Sequence, residues 1–598
     1  MLVTAACLPE SSPATLLELN RTATEIQAPP SGSVSEQYSY QGQGLEGSAS
    51  STFDPATGNF IDRTSIASVP DAHGFDGATA WMQDFSGAYV PEQSEGSRAL
   101  AISEAYRHAN AWWRADRGGA QIEPIGCDGL RVTPSGGNAF EAWFDAATHL
   151  LNKIREVQPF GVTVETRYAD YREYAGHLVP TQIEVVTNDD PTNRETMRLV
   201  ARSVNPEEPP ASFAMPVNNF SDRSLPSQGR VTLPFRLLNN HIIVDVRVDG
   251  RGPIPFLVDS GGHDIVTPAT IRALGLGAEG EVPSGGSGEQ MVTSGYARVK
   301  RIDVGGAVLT DQTVVTLDFS PLAVEGLQLG GMLGLEFLER FVVQFDYGGR
   351  TMTIIDPRHF DAEARRRAGT ELDFAFYDHC PQISGAFDDL PVRLNIDTGS
   401  RSDLTLTSPF VERAHLREQY PHGVITTEGW GATGPTKPYV IRGRSVTLGS
   451  VSAPGPIVGL SMSKKGAFSD ANYDGNVGSG VLKRFKVTFD YAGQRMYLQA
   501  ARQIDQDTGH FDRSGMWLNL AERGMQVMDV TPGGPAAETG IKVGDVLVSI
   551  GGKPIAGRAL SDVRRSLKLV PLRRPLAVRF MRDGRDHSVT LMPRELIP

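Results

Sequence analysis

The sequence predicts a mainly β, multidomain protein. Three observations carry that prediction: alternating apolar and polar runs through the first 220 residues, a duplicated β unit in the centre, and a glycine-punctuated α+β module at the C-terminus. At 598 residues the chain exceeds what one hydrophobic core sustains and suits about three to five domains. Lys and Arg number 57 against 70 Asp and Glu, a net charge of -13, and no basic run concentrates positive field, which argues against a nucleic-acid partner. No stretch approaches the roughly 18 to 20 apolar residues of a membrane span.

Residues 1–30 read as a flexible N-terminus or the remnant of a signal peptide. Small residues precede Cys7, so either that cysteine is a lipid-attachment site or the segment is an ordinary terminus. Only three cysteines occur, which excludes a disulfide framework and Cys/His metal spacing; Cys127 and Cys380 form a candidate pair.

Residues 31–220 form a β-rich region. Gly77–Trp81, Glu141–Asp145 and Thr163–Tyr168 alternate as half-buried antiparallel strands do, and Leu100–Trp113 has helical spacing, giving an antiparallel half-barrel curled round a helix. Trp81, Trp112, Trp113 and Trp143 line a groove or fill the core; Asp170-Tyr171-Arg172 reads as a strand-end ion pair. Asn218–Arg230 is a polar linker.

The centre spans 228–362 and 366–503. Phe256-Leu257-Val258-Asp259-Ser260-Gly261-Gly262 and Leu394-Asn395-Ile396-Asp397-Thr398-Gly399-Ser400 are apolar strands that each end in an aspartate, a hydroxyl residue and a glycine. Downstream, Gly331–Tyr347 and Gly475–Tyr491 align without a gap at an offset of 144 residues (485 minus 341). The aspartates are 138 apart (397 minus 259). Two carboxylates close together can hold one water, one acting as general base while the other, protonated, donates to a carbonyl. His263, Asp264 and His379 lack the partners of a metal site or a nucleophile elbow, and no phosphate-cradling glycine loop occurs.

This order resembles aspartic peptidases of the pepsin and retropepsin type: a strand into Asp-Ser/Thr-Gly, then an apolar-Gly segment 75 residues on (334 minus 259) or 81 residues on (478 minus 397). The resemblance implies a bilobal β-barrel unit with catalytic Asp259 and Asp397. Ser260, Gly261, Thr398 and Gly399 would form the loops, and Gly334 and Gly478 the segments threading beneath them. Two departures stand out. Gly262 replaces the usual Ser, Thr or Ala, and Asn476 the usual apolar residue. Ser284–Gly288 takes the place of the family's flap, or is a plain surface loop; Gly429–Gly434, with Trp430, is its counterpart in the second lobe. The region before the lobes is similar to the half-barrel domains of bacterial lipoprotein carriers.

Residues 512–598 carry Gly-x-x-x-Gly-Asp-x-Leu-x-x-Ile from Gly540 to Ile550 and resemble a PDZ domain. That resemblance implies strand addition of a peptide, its terminal carboxylate held by the amides of Met516, Trp517 and Leu518 after Gly515. Trp517 departs from the usual small residue, and the module either recruits or gates polypeptide substrate or braces the domains. The expectation is a bacterial aspartic endopeptidase, periplasmic or secreted, acting on polypeptides without metal or organic cofactor. The alternatives are a non-catalytic, peptide-binding pseudopeptidase and lobes that pair with other chains.

Overall fold

The computed structural model describes residues 12–25, 32–66, 69–174, 176–205, 212–286, 288–522 and 524–597; Cys7 lies outside them. It divides into two compact units, one formed by the chain up to Asn219 with two short later segments, the other by the remainder.

The first unit is a thirteen-stranded antiparallel sheet in which Val34–Gly42 joins Leu45–Phe53 on one side to Arg194–Val204 on the other. The helix spans Glu95–His108, earlier than its spacing suggests. Ser94 caps it by accepting from Ser97 N, and Asn110, in the left-handed region at φ 44°, ends the run. Ala101 and Ala105 of this helix pack on Phe60, Phe75 and Ala80. Tyr106 packs with Trp112 and Phe140, so the helix is held by strands from both parts of the sheet. Trp81 and Trp112 are core rather than groove, at 0% and 2% exposure. Trp113 and Trp143 are half-buried, and Lys153 lies over the Trp143 ring. Of the predicted strand Gly77–Trp81 only Ala80 and Trp81 are extended, as the start of Ala80–Gln83, because Asp76 Oδ1 accepts from Ala78 N and Thr79 N and makes a turn. Asp170 is a positive-φ bulge inside the strand Val162–Tyr174, not a strand-end ion pair.

In the second unit, a nine-stranded sheet carries the strand Arg251–Val258 and a ten-stranded sheet carries Leu390–Asp397. A six-stranded sheet joins them. At its centre Val342–Asp346 pairs antiparallel with Phe485–Asp490, and Gln344 donates to Thr488 Oγ1 at 2.8 Å. Gln344 and Thr488 are equivalent positions of the repeat (488 minus 344 is 144), so an approximate two-fold axis passes between them. The expected linker is partly built into the first lobe: Arg223–Ser224 pairs with Val308 and Leu309, and Asp222 accepts from the buried Arg340 at 2.7 Å. Cys380 is a free, buried thiol, so it does not pair with Cys127. From Met516 the chain forms a separate small sheet closed by the helix Leu560–Leu569, with Leu518, Val527, Leu547, Val563, Leu567 and Phe580 in its core. The protein is mostly β and multidomain.

Candidate active site

Each aspartate sits at the end of a strand that runs parallel to a short inner strand. Val258 pairs with Leu333 of Gly331–Leu333, and Asp397 with Gly478 of Gly475–Gly478. Both inner strands have a second, antiparallel neighbour, Ile265–Val266 in one lobe and Leu404–Leu406 in the other. The loops therefore rest on buried, doubly paired strands, which makes them rigid platforms.

The hydroxyls clasp the loops to each other. Ser260 Oγ donates to Ile396 O at 2.8 Å and accepts from Thr398 N at 2.9 Å. Thr398 Oγ1 donates to Val258 O at 2.9 Å and accepts from Ser260 N at 3.0 Å. Both residues are fully buried, so each bond lies in a low-dielectric interior. Beneath them, Tyr491 donates to Ser260 O at 3.0 Å. Ser479 Oγ donates to Thr398 O at 3.0 Å, which leaves Tyr347 as donor in its 3.0 Å bond to Ser479.

The two carboxyls meet, each close enough to act on the other's protonation. Gly261 N donates to Asp259 Oδ1 at 2.8 Å. Ser400 N donates to Asp397 Oδ1 and Asn476 Nδ2 to Asp397 Oδ2, both at 2.8 Å. Burial, then the neighbouring Asp397, push Asp259 well above the usual carboxyl range; the Gly261 amide and His379 act the other way without cancelling them. The pair therefore favours holding one proton between its two carboxyls.

Sterics explain the glycines. A Cβ on Gly399 would stand 2.1 Å from Asp259 Oδ2, and one on Gly261 3.0 Å from Asp397 Cγ, so each loop leaves room for the other lobe's aspartate. A Cβ on Gly334 would meet Gly262 O at 2.2 Å, and one on Gly478 would meet Ser402 O at 2.3 Å. Gly262 has a similar reason: Met332 Cε lies 2.5 Å from where its Cβ would be. Asn476 is a ligand of Asp397 and not a misplaced core residue.

His263, Asp264 and His379, set aside in the sequence as isolated, come together beside the first aspartate loop. His379 Nε2 donates to Gly261 O at 2.9 Å, and its ring lies 4.6 Å from that of His263. His263 Nδ1 is 2.9 Å from Glu336 Oε1, and Asp264 accepts from Gly334 N at 2.6 Å. His263 and Asp264 thus brace the loop against the inner strand. Tyr347 and Tyr491 were signalled by the Phe-Asp-Tyr that ends both repeats. The two glycine loops touch, Gly288 N donating to Thr433 Oγ1 at 2.8 Å. Trp430 is half-buried on the short strand Gly429–Gly431.

In the terminal module, the strand Met516–Ala521 lies at the sheet edge. Its groove is already engaged. Arg564, from the helix Leu560–Leu569, donates through Nε to Leu518 O at 3.0 Å and reaches Glu325 Oε1 of the first lobe at 2.8 Å. Arg401, four positions beyond Asp397, donates to the same glutamate at 3.0 Å. Trp517 lies between the two guanidiniums, 4.7 Å from Arg401 and 4.3 Å from Arg564. The amides at the start of the strand are also occupied: Asp512 Oδ1 accepts from Ser514 N and Gly515 N at 2.9 and 2.7 Å, and lies 3.4 Å from Met516 N.

Residues 244–337 match the aspartyl protease family model, and residues 526–580 the PDZ domain model. Among curated proteins, the periplasmic serine endoprotease DegP of Escherichia coli is 39% identical over 71 residues, 12% of this chain. The chain spans about 15% of that relative's length. Among solved structures, an aspartic proteinase from Irpex lacteus covers 47% of this chain and 99% of its own, at 10% identity and TM-score 0.32. A retropepsin-like aspartic protease from Rickettsia conorii covers 21% and 89%, at 19% identity and TM-score 0.17. A LolA superfamily protein from Nitrosomonas europaea covers 32% and 94%, at 15% identity and TM-score 0.23. The chain thus carries an aspartyl protease domain and, near its C-terminus, a PDZ domain.

Proposed function

We propose that this protein is an aspartic endopeptidase whose single site is built from Asp259 and Asp397 of the same chain, with the PDZ module gating polypeptide access. The observation that carries the reading is the reciprocal Ser260–Thr398 clasp, which sets two half-buried carboxyls against each other, a pairing that favours one shared proton. In this mechanism a water held by the pair attacks the scissile carbonyl carbon. Its proton passes to Asp397, which Ser400 N and Asn476 orient, while Asp259 gives its proton to the carbonyl oxygen. Collapse of the tetrahedral intermediate breaks the C–N bond: Asp397 gives its proton to the leaving amine, and a hydroxyl of the intermediate returns one to Asp259, restoring the pair. The Gly288–Thr433 contact supports closure over substrate from both lobes.

Gating is supported by the engaged groove. A peptide adding to Met516–Ala521 must displace Arg564 from Leu518 O, which frees a residue tied through Glu325 to Arg401 beside the catalytic loop. Glu325→Gln is expected to tighten binding of peptides to the groove by roughly tenfold, a gain of about 1.4 kcal/mol, read by fluorescence anisotropy; unchanged affinity removes the gate. A periplasmic or secreted location accords with the PDZ likeness to DegP. Among the described residues no helix is long and apolar enough to cross a membrane.

The test is hydrolysis of casein from acid to neutral pH, with Asp259→Asn and Asp397→Asn alongside and new termini read by mass spectrometry. Each substitution is expected to abolish cleavage while the circular dichroism spectrum stays native. Full activity in either one removes the shared site. Peptide binding without hydrolysis by the unmodified protein turns the reading to a non-catalytic binder.

A further inference from the structure

The N-terminal unit, which the proposed peptidase chemistry does not use, gathers four metal-ligating side chains at one point. Asp62 and His73 are cross-strand partners on Phe60–Ile66 and Val69–Phe75. Glu104 and His108 lie one turn apart on the helix Glu95–His108, which packs across those strands. His73 Nε2 is 3.3 Å from Glu104 Oε2 and 3.8 Å from Asp62 Oδ2, and His108 Nε2 is 3.6 Å from the same Asp62 oxygen. One ligand atom each from Asp62, Glu104 and His108 falls within 4.8 Å of the others.

Donors bound at about 2.0–2.1 Å to a tetrahedral zinc ion lie about 3.3 Å from one another; the 3.3 Å His73–Glu104 and 3.6 Å His108–Asp62 separations come near that spacing, and the wider ones close by side-chain rotation on binding. Ion pairing alone leaves the cluster unfinished. Asp62 Oδ1 is enclosed and accepts no hydrogen bond, and two carboxylates converge where one further cation would serve both. The ring of His108 is also held in place, stacked on Phe53 at 4.7 Å and tilted against Phe60 at 5.0 Å. Such fixed aromatic packing orients a ligand before its metal arrives.

We propose that Asp62, Glu104 and His108, with His73 as fourth donor, bind a divalent transition-metal ion of the zinc class that staples the helix to the sheet.

The test is equilibrium dialysis of the full, tag-free chain against zinc, with metal counted by atomic emission. A single zinc per chain is expected. Asp62→Asn/His108→Ala is expected to lower affinity by about 100-fold. The near-isosteric Glu104→Gln, which keeps the helix intact, is expected to do so by about tenfold. Cobalt in place of zinc should give the visible bands of a four-coordinate ion. No zinc retained at micromolar concentration by the folded chain, or equal retention by these variants, overturns the proposal.

Discussion

Asp259 and Asp397 end equivalent strands of a duplicated unit and keep different company. Beside Asp259 the loop continues with Gly262, pressed by the methyl of Met332; beside Asp397 the matching positions are Ser400 and Asn476, and both donate to the carboxylate. Duplication alone yields two identical acids, whereas the proposed division into acid and base needs two unlike ones. One N–H donor on Asp259, from Gly261, against two on Asp397, from Ser400 and Asn476, breaks the symmetry, and it turns on the two positions, 262 and 476, where the sequence departs from its family's pattern.

Making the second lobe resemble the first attacks this contrast most directly. Asn476→Met removes a hydrogen bond to a charged group worth about 1.5–3 kcal/mol, so kcat/KM is expected to fall about 10- to 100-fold. Peptide hydrolysis checks it, and wild-type rates would show that the asymmetry has no catalytic role. Next, Gly262→Ser drives a side chain into Met332 and is expected to cost about 1–3 kcal/mol in chemical unfolding. Adding Met332→Ala should recover most of that loss; no recovery would place the reason for the glycine elsewhere.

The smallest effect concerns pH. Asp259 has a raised pKa in the folded chain, so its protonated form suits the fold, and stability is lost as pH climbs from the ordinary aspartate value of 3.8 through the raised one. Asparagine does not ionise. The thermal midpoint of Asp259→Asn should therefore gain on the wild type as pH rises, with the pH-dependent advantage absent in strong acid; the reverse slope would contradict the proton's placement.

The dyad, its clasp and the doubled unit were legible because their residue types are local and repeated. What stayed hidden depends on contacts between distant positions. Asn476 stood out as an oddity, but nothing in the sequence says that its amide points at Asp397. His379 and Gly261 lie 118 residues apart. Glu325 reaches Arg564 across 239. The Asp62, His73, Glu104 and His108 cluster escaped because half of it is a cross-strand pair and half a helical i, i+4 pair, and neither has the close Cys/His spacing that marks metal sites. The helix boundary slipped because Ser94 capping sets its start, whereas apolar spacing marks only its inner face.

The central sheet also sets a clock. Residues 342–346 pair at once with Thr351–Ile355 but gain their second neighbour only when residues 485–490 have been made, and the clasp needs Thr398 as well as Ser260. At about 5–20 residues per second, the 138 residues between the aspartates take roughly 7–28 s to synthesise. Through that interval the growing chain holds one carboxyl without its counterpart, and under the proposed shared site it is born inert, safe to its own unfolded segments until the last strands of its second lobe arrive.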